Sequence, residues 1–203
     1  MTHPTLYRTR LGWTALAAAA VLLAACNPIE TSSQSATVLK VASLTGFDLK
    51  GSVQNYVLSD VLYVSPDTGA QSWVADPAQV TFSAVLLDPK SINGASTMND
   101  ILVTRYVVTF QRADGRNSQG VDVPYSFEGT MSVLVPIGTA TAATFILVRE
   151  IAKQEPPLLN LESALPGDGL YVTAQVDFYG RDGANKLVKA TGYVPVTFAN
   201  YGN

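Results

Sequence analysis

Two stretches of this chain alternate apolar and polar residues so strictly that they admit one kind of backbone. Leu170, Val172, Ala174, Val176 and Phe178 fall on one face, and Tyr171, Thr173, Gln175, Asp177 and Tyr179 on the other. Between Ile101 and Arg112, Tyr106, Val108 and Phe110 share a face opposite Arg105, Val107 and Thr109. A period of two marks a half-buried strand, because successive side chains leave a pleated backbone on opposite sides. A helix needs a period of 3.6, and no segment of twelve or more residues after Ala36 keeps it.

The segments between these two are read in the same way. Val38–Ser43 is a first strand, and Tyr56–Val64 a second, ended by the turn residues Ser65-Pro66-Asp67-Thr68-Gly69. Gln79–Leu87 carries Val80, Phe82, Ala84 and Leu86 on one face, and Ile92–Asn99 is loop. Asp114-Gly115 opens a turn. Val121–Phe127 is extended, but Pro124 confines it to an edge or a bend. Thr130–Val135 is a short strand. Ala143–Ala152 admits a strand or a short helix, and its β-rich content favours strand. The prolines and glycines of Gln154–Gly169 make a long crossover loop. The turn Gly180-Arg181-Asp182-Gly183-Ala184-Asn185 joins the 170–179 strand to a last one over Leu187–Phe198, giving a terminal hairpin. Eight or nine strands with no convincing helix predict an all-β fold: a two-sheet antiparallel β-sandwich over residues 37–203.

The N-terminus has a different texture. Met1–Arg10 holds Arg8 and Arg10 and no acid, and Leu11–Leu23 is apolar and rich in alanine. That order is the build of a secretory signal. The run is shorter than the roughly 20 residues a membrane-spanning helix needs. It ends in Leu23-Ala24-Ala25-Cys26, where Cys26 is the only cysteine of the chain. An ordinary signal peptidase site wants a small residue at the place of Leu23. The four residues resemble instead the bacterial lipobox. The resemblance implies cleavage between Ala25 and Cys26, so that residues 1–25 are the signal peptide, and lipidation of Cys26, with three acyl chains in most Gram-negative bacteria. One chain holds a protein to a bilayer only marginally, whereas two or more hold it firmly. Residues 26–36 then form a lipidated tether whose polar, Ser/Thr-rich stretch reaches about 17 Å as flexible coil. Asn27 follows the cysteine where an aspartate resembles an inner-membrane retention signal, so the address leans towards the outer membrane.

Cleavage there removes two of the 13 basic residues and none of the 16 acids, which leaves 11 against 16, a net charge of −5. Mild acidity argues against nucleic acid, which requires a basic footprint, and against electrostatic docking on anionic lipid. The only histidine, His3, also precedes the cleavage point. The remaining chain therefore lacks the residues of a Ser-His-Asp or Cys-His nucleophilic site, of a His/Cys zinc site and of an internal disulfide. Its fold must rest on a hydrophobic core, and no cofactor is expected.

The terminal hairpin is similar to the last hairpin of bacterial immunoglobulin-like and fibronectin III-like domains. It comes without their disulfide, and Trp73 lies in a loop-like context rather than at a core position. The run Arg112-Ala113-Asp114-Gly115-Arg116-Asn117, with Gly120-Val121-Asp122-Val123-Pro124-Tyr125, resembles a segment shared by a set of uncharacterised bacterial lipoproteins. These likenesses imply a fold and an address and no activity.

Few side chains offer chemistry. Asp114, Asn117 and Asp122 lie in one loop and carry oxygens suited to calcium. Calcium takes 6–8 oxygens at about 2.3–2.6 Å, and three residues outside any EF-hand pattern are better accounted for by turn geometry. Arg112, Arg116 and Arg181 are partner-binding candidates if their loops meet, or else they pair with Asp114 and Asp182. A carboxylate-only hydrolase would need two acids facing each other across a cleft, which no spacing here indicates. Tyr171 and Tyr179, on an outward face, are interface anchors or ordinary cross-strand pairs.

The expectation is a non-enzymatic envelope lipoprotein, held by its lipid and presenting a sandwich to another envelope protein. The alternative is a glycan- or peptide-binding module at the same address. Cys26→Ser should yield a folded protein without acyl mass that leaves the membrane fraction. Intact mass and fractionation test this, and an unchanged mass and location would refute the anchor.

Overall fold

In the computed structural model the residues described are 34–90, 94–164 and 168–201. The signal sequence, the cleavage point, Cys26 and most of the tether lie outside them, as do parts of the predicted 92–99 and 154–169 loops. From Ser35 onward the chain forms one compact unit, and it is all-β.

Its strands run β1 Thr37–Phe47, β2 Val53–Gln54, β3 Val57–Asp60, β4 Tyr63–Val64, β5 Gln71–Ser72 and β6 Asp76–Leu86. They continue with β7 Ile101–Gln111, β8 Phe127–Val135, β9 Thr141–Val148, β10 Gly169–Asp182 and β11 Leu187–Ala199. A four-stranded sheet has the order β2-β1-β6-β9, a five-stranded sheet β3-β11-β10-β7-β8, and β4-β5 form a small ribbon. Among the described strands, one pair departs from the expected antiparallel pairing. β3 lies parallel to β11, with Val57 beside Val196 and Asp60 beside Ala199. After β1 the chain turns at Asp48–Ser52, pairs briefly with the end of β1 as β2, and then lies against β11 as β3.

The alternating stretches form the strands they predict. On β10, Leu170, Val172, Ala174, Val176 and Phe178 are all buried, and Tyr171 on the other face is 66% exposed. The inner faces of the two main sheets share one core. Its centre is aromatic. Phe178 of the five-stranded sheet meets Phe82 and Phe145 of the other, edge to face, at centroid distances of 4.9 Å and 5.3 Å. Tyr106 extends the cluster to Phe145 at 4.8 Å. Its ring also lies over Gly129, where any Cβ would collide with it. Edge-to-face pairs of this kind add about 0.5–1.5 kcal/mol beyond burial.

Boundaries differ from the sequence reading in several places. β1 runs on to Phe47, β8 starts at Phe127 after an expected Val121–Phe127 strand that is turns and an isolated bridge, and β10 runs on to Asp182. The predicted 56–64 strand is broken into β3 and β4, with Val61 and Leu62 buried between them. β6 begins at Asp76, three residues early, because Pro77 sits at a bulge in its pairing with β9. Proline is tolerated there since no ladder hydrogen bond is asked of it. The 143–152 segment is strand only to Val148, and then one helical turn, α1 Glu150–Lys153, follows.

The two ends of the strands differ. At one, the Asp182 carboxylate, 7% exposed, closes the β10–β11 turn by accepting from the amides of Ala184 and Lys186 at 3.0 and 2.8 Å. It also accepts from the Ser35 hydroxyl at 2.6 Å, so the chain enters the domain at this end. The opposite end gathers the last residues of β1, all of β3, the start of β6, and α1.

Phe178→Ala should cost about 3–5 kcal/mol, the range for emptying an aromatic site in a packed core. Equilibrium denaturation in urea checks the value, and a loss below about 1 kcal/mol would place the core's centre elsewhere.

Candidate functional site

At the end remote from Ser35, a lysine is buried. Lys153 closes α1 with its side chain 1% exposed. Its Nζ donates to the Asp60 carbonyl at 2.7 Å and lies 3.2 and 3.0 Å from the two carboxylate oxygens of Asp76. The Ser59 hydroxyl donates to Asp76 Oδ2 at 2.5 Å. The Tyr201 amide donates to Asp60 Oδ1 at 3.3 Å. One helical turn thus reaches under the sheets and ties β3 to β6. The β3–β11 pairing places Ser59 and Asp60, and the bulge at Pro77 places Asp76.

The electrostatics follow from burial. Removal from water raises the Asp76 carboxyl above its ordinary value of 3.8, against the pull of Lys153 and the Ser59 hydrogen bond. A buried charge survives only if paired, and Lys153 and Asp76 are paired here.

Above this floor opens a cleft of about 560 Å³. Phe47, Leu49, Leu58, Tyr63, Val74 and Pro77 wall it, and Asp48, Asp60, Asp76 and Lys153 supply its charges. The volume lies within the roughly 300–1,000 Å³ of small-molecule sites, which are apolar with a few fixed polar groups. The Asp48 rim is a built turn. Its Oδ1 accepts from the amides of Ser52 and Lys50 at 2.8 and 2.9 Å. The backbone hydrogen bond from Ser52, the largest cause, helps hold this carboxyl below its usual range. Gly46 lets β1 approach β3 here, since a Cβ would run into Val57 and the Tyr56 carbonyl. Beside the cleft, Trp73 donates its indole N–H to Glu162 at 2.8 Å.

The residues singled out from sequence lie elsewhere. Asp114 makes a two-pronged contact with Arg112, at 3.0 Å to Nε and 2.6 Å to a terminal nitrogen, and accepts from the Arg116 amide at 3.1 Å. These bonds, with the Arg112 pair foremost, lower its carboxyl to about 2. Asn117 accepts from the Arg112 amide at 2.7 Å, and Asp122 pairs with Arg116 at 3.1 Å. The oxygens considered for calcium therefore shape the loop. Among the described residues, no group of three or more His, Cys, Asp or Glu side chains is placed to hold a metal. Arg181 is not brought to Arg112 and Arg116. On β7 and β10 it lies opposite Leu102, whereas Gln111 lies opposite Thr173. Nine residues of strand separate the two positions, about 30 Å. Arg181 instead donates to the Asn185 carbonyl at 3.0 Å. Tyr179 is held between Arg105 and Lys189, at 4.0 and 5.5 Å from its ring centroid.

Lys153, Asp76, Asp60 and Ser59 escaped sequence reasoning. Lys153 stands among Arg149, Glu150, Gln154 and Glu155, so nothing in its neighbourhood marks it as a buried residue. As chemistry the group is a charged floor. Ser59 is fully buried and Lys153 nearly so.

No family model matches this chain, and no curated protein does. A solved structure described as "X-ray structure of Northeast Structural Genomics Consortium target SoR45" is similar over 82% of this chain and 89% of its own. The identity is 10% and the TM-score 0.33, too slight to bear on function. Among the described residues, no helix is long and apolar enough to cross a membrane.

Lys153→Met should destabilise the domain by about 3–5 kcal/mol, because it strands the Asp76 charge. A pH signature should accompany the loss. A carboxyl whose folded value lies above 3.8 binds more protons folded than unfolded between the two values. Stability therefore falls as pH rises through that window. Without the lysine only the Ser59 hydrogen bond opposes burial at Asp76, so the window widens upward, and acidification from neutral pH should restore part of the loss. Urea midpoints across pH measure this, and a pH-independent deficit would contradict it.

Proposed function

We propose that this protein is a bacterial envelope lipoprotein, anchored through Cys26, whose immunoglobulin-like sandwich serves binding rather than catalysis. One observation carries the reading. The chain enters the domain at Ser35, beside the Asp182 turn, and the cleft opens at the other end of the strands. β1 alone spans this distance with 11 residues, about 35 Å. A tether at one end leaves the cleft facing outward, where a ligand or a partner segment reaches it. The lipobox likeness and the preference for the outer membrane supply the address, and the absence of histidine and cysteine beyond Cys26 argues against the common nucleophilic enzymes.

A protein partner is the second reading. The outward face of β10 and β11 exposes Tyr171 and Tyr193, 66% and 59% accessible, with Leu187 on the same face. Exposed aromatics of this kind anchor interfaces.

The two readings separate in a fragment screen by ligand-observed NMR on full-length protein carrying Cys26→Ser, which needs no detergent. Hits should vanish when Val74→Trp fills the mouth of the cleft. An absence of hits, or hits indifferent to Val74→Trp, would move function to the tyrosine face.

A further inference from the structure

We propose that the end at which the chain enters the domain is a bilayer-docking face, where a row of exposed leucines enters the headgroup boundary and cations behind it meet lipid phosphates. The inference rests on the reading of the protein as anchored through Cys26 and adds a second contact with the same membrane.

The register of the five-stranded sheet builds the row. Leu134 of β8 lies opposite Leu102 of β7, Leu102 opposite Arg181 of β10, and Arg181 opposite Leu187 of β11. Residues directly opposite across a ladder share a face. Leu134, Leu102, Arg181 and Leu187 therefore form one line across four strands. Their neighbours Val135, Ile101 and Asp182 turn inward and are buried. The three leucines are 55%, 42% and 67% exposed. Single surface leucines are ordinary, whereas an aligned group marks an interaction site. Leu87 and Met98 are exposed at the same end, where their backbones bond to Ala36 and Gly183.

The cations stand just behind. Arg105 and Lys189 both lie opposite Tyr179, two residues or about 7 Å further from the turn than Arg181. These residues and Leu187 line a depression of about 530 Å³ whose lining holds no carboxylate. Glu128 and Asp177 pair with Arg105 and Lys189, each at 3.0 Å, but from two residues further back, level with Val107. Arg181 donates one N–H to the Asn185 carbonyl, and a guanidinium carries five. The order outward is thus carboxylates, then cations, then leucines. Interfacial segments have this build, with apolar side chains in the acyl boundary and Lys or Arg at the headgroups.

The chain outside the domain settles which surface lies opposite. Ser35 is bonded to Asp182, the residue after Arg181. Nine residues, 26–34, separate Ser35 from Cys26 and reach at most about 30 Å. An acylated Cys26 therefore holds this rim within that distance of the headgroups. The placement of charge agrees. The acidity that argues from composition against anionic lipid is gathered at the cleft end, where segments 48–76, 112–126 and 149–168 carry ten acids against five bases. The remaining segments, 35–47, 77–111, 127–148 and 169–200, carry six bases against five acids. An anionic surface repels the cleft end and turns the leucine rim towards itself.

The test uses residues 35–203, a compact unit with its own core, and vesicles of phosphatidylcholine with or without phosphatidylglycerol. Co-sedimentation should show binding at least about fivefold tighter to the anionic vesicles, and weaker as salt rises. Leu187→Asp should weaken it about tenfold or more, and Arg181→Gln about fivefold. Val121→Asp, the same kind of change at an exposed position of the cleft end, should leave binding unaltered. Unchanged melting temperatures confirm that each variant is folded. No binding at millimolar lipid, equal binding to both vesicles, or equal effects of Leu187→Asp and Val121→Asp overturns the proposal. So does a lipid-independent dimer that Leu187→Asp dissolves, since the rim is then a contact between copies. The tested domain lacks Cys26, so its failure to bind leaves the anchor standing, and the acyl mass of the full chain judges the anchor separately.

Discussion

The contact between the two main sheets carries this domain. The chain after Cys26 has no cysteine for a disulfide. Cohesion comes from apolar side chains facing one another across the layers, with Phe178 against Phe82 and Phe145 at the centre. Each main strand contributes to that contact through its period-two face. A one-residue slip in β10 would exchange Phe178 for Tyr179 and Val176 for Asp177, bringing a carboxylate into the core. Register is therefore fixed by burial.

The buried ion pair lies away from the aromatic centre of that contact, at the end that holds α1. There Lys153 spans the gap between β3 and β6 with an aliphatic stem and a charged tip. A hydrophobic residue of similar volume would fill the space and leave the Asp76 carboxylate without its cation. The ion pair fixes which segments meet, and in doing so gives the cleft a polar floor beneath apolar walls. The Asp182 turn does comparable work at the other end, where one carboxylate closes a hairpin and holds the entering chain.

Legibility in the sequence followed the range of the interaction. β7, β10 and β11 were readable almost to their ends because alternation is a local consequence of the pleat. The Arg112–Asp122 loop was readable for the same reason, and its Asp and Asn oxygens do bond within a few residues of themselves. The parallel pairing of β3, the early start of β6 at Pro77 and the turn at Glu150–Lys153 were not. Each depends on a partner far along the chain. Lys153 lies 93 residues from Asp60 and 77 from Asp76. No spacing within any segment encodes such a meeting, so the candidate site was invisible where the candidate loops were conspicuous.

By itself, the sequence determined the all-β class, the inward faces of the long strands, the dependence on an apolar core, and the likeness of Leu23–Cys26 to a lipidation signal. All of these are properties of residues and their near neighbours, and physics at that range acts before the chain has folded. Only the tertiary structure decided that Arg181 stands about 30 Å from Arg112, that β3 runs parallel to β11, and that a lone lysine would be buried between two aspartate-bearing strands. Those outcomes turn on which surfaces exclude water together, and that choice is made by the whole core at once.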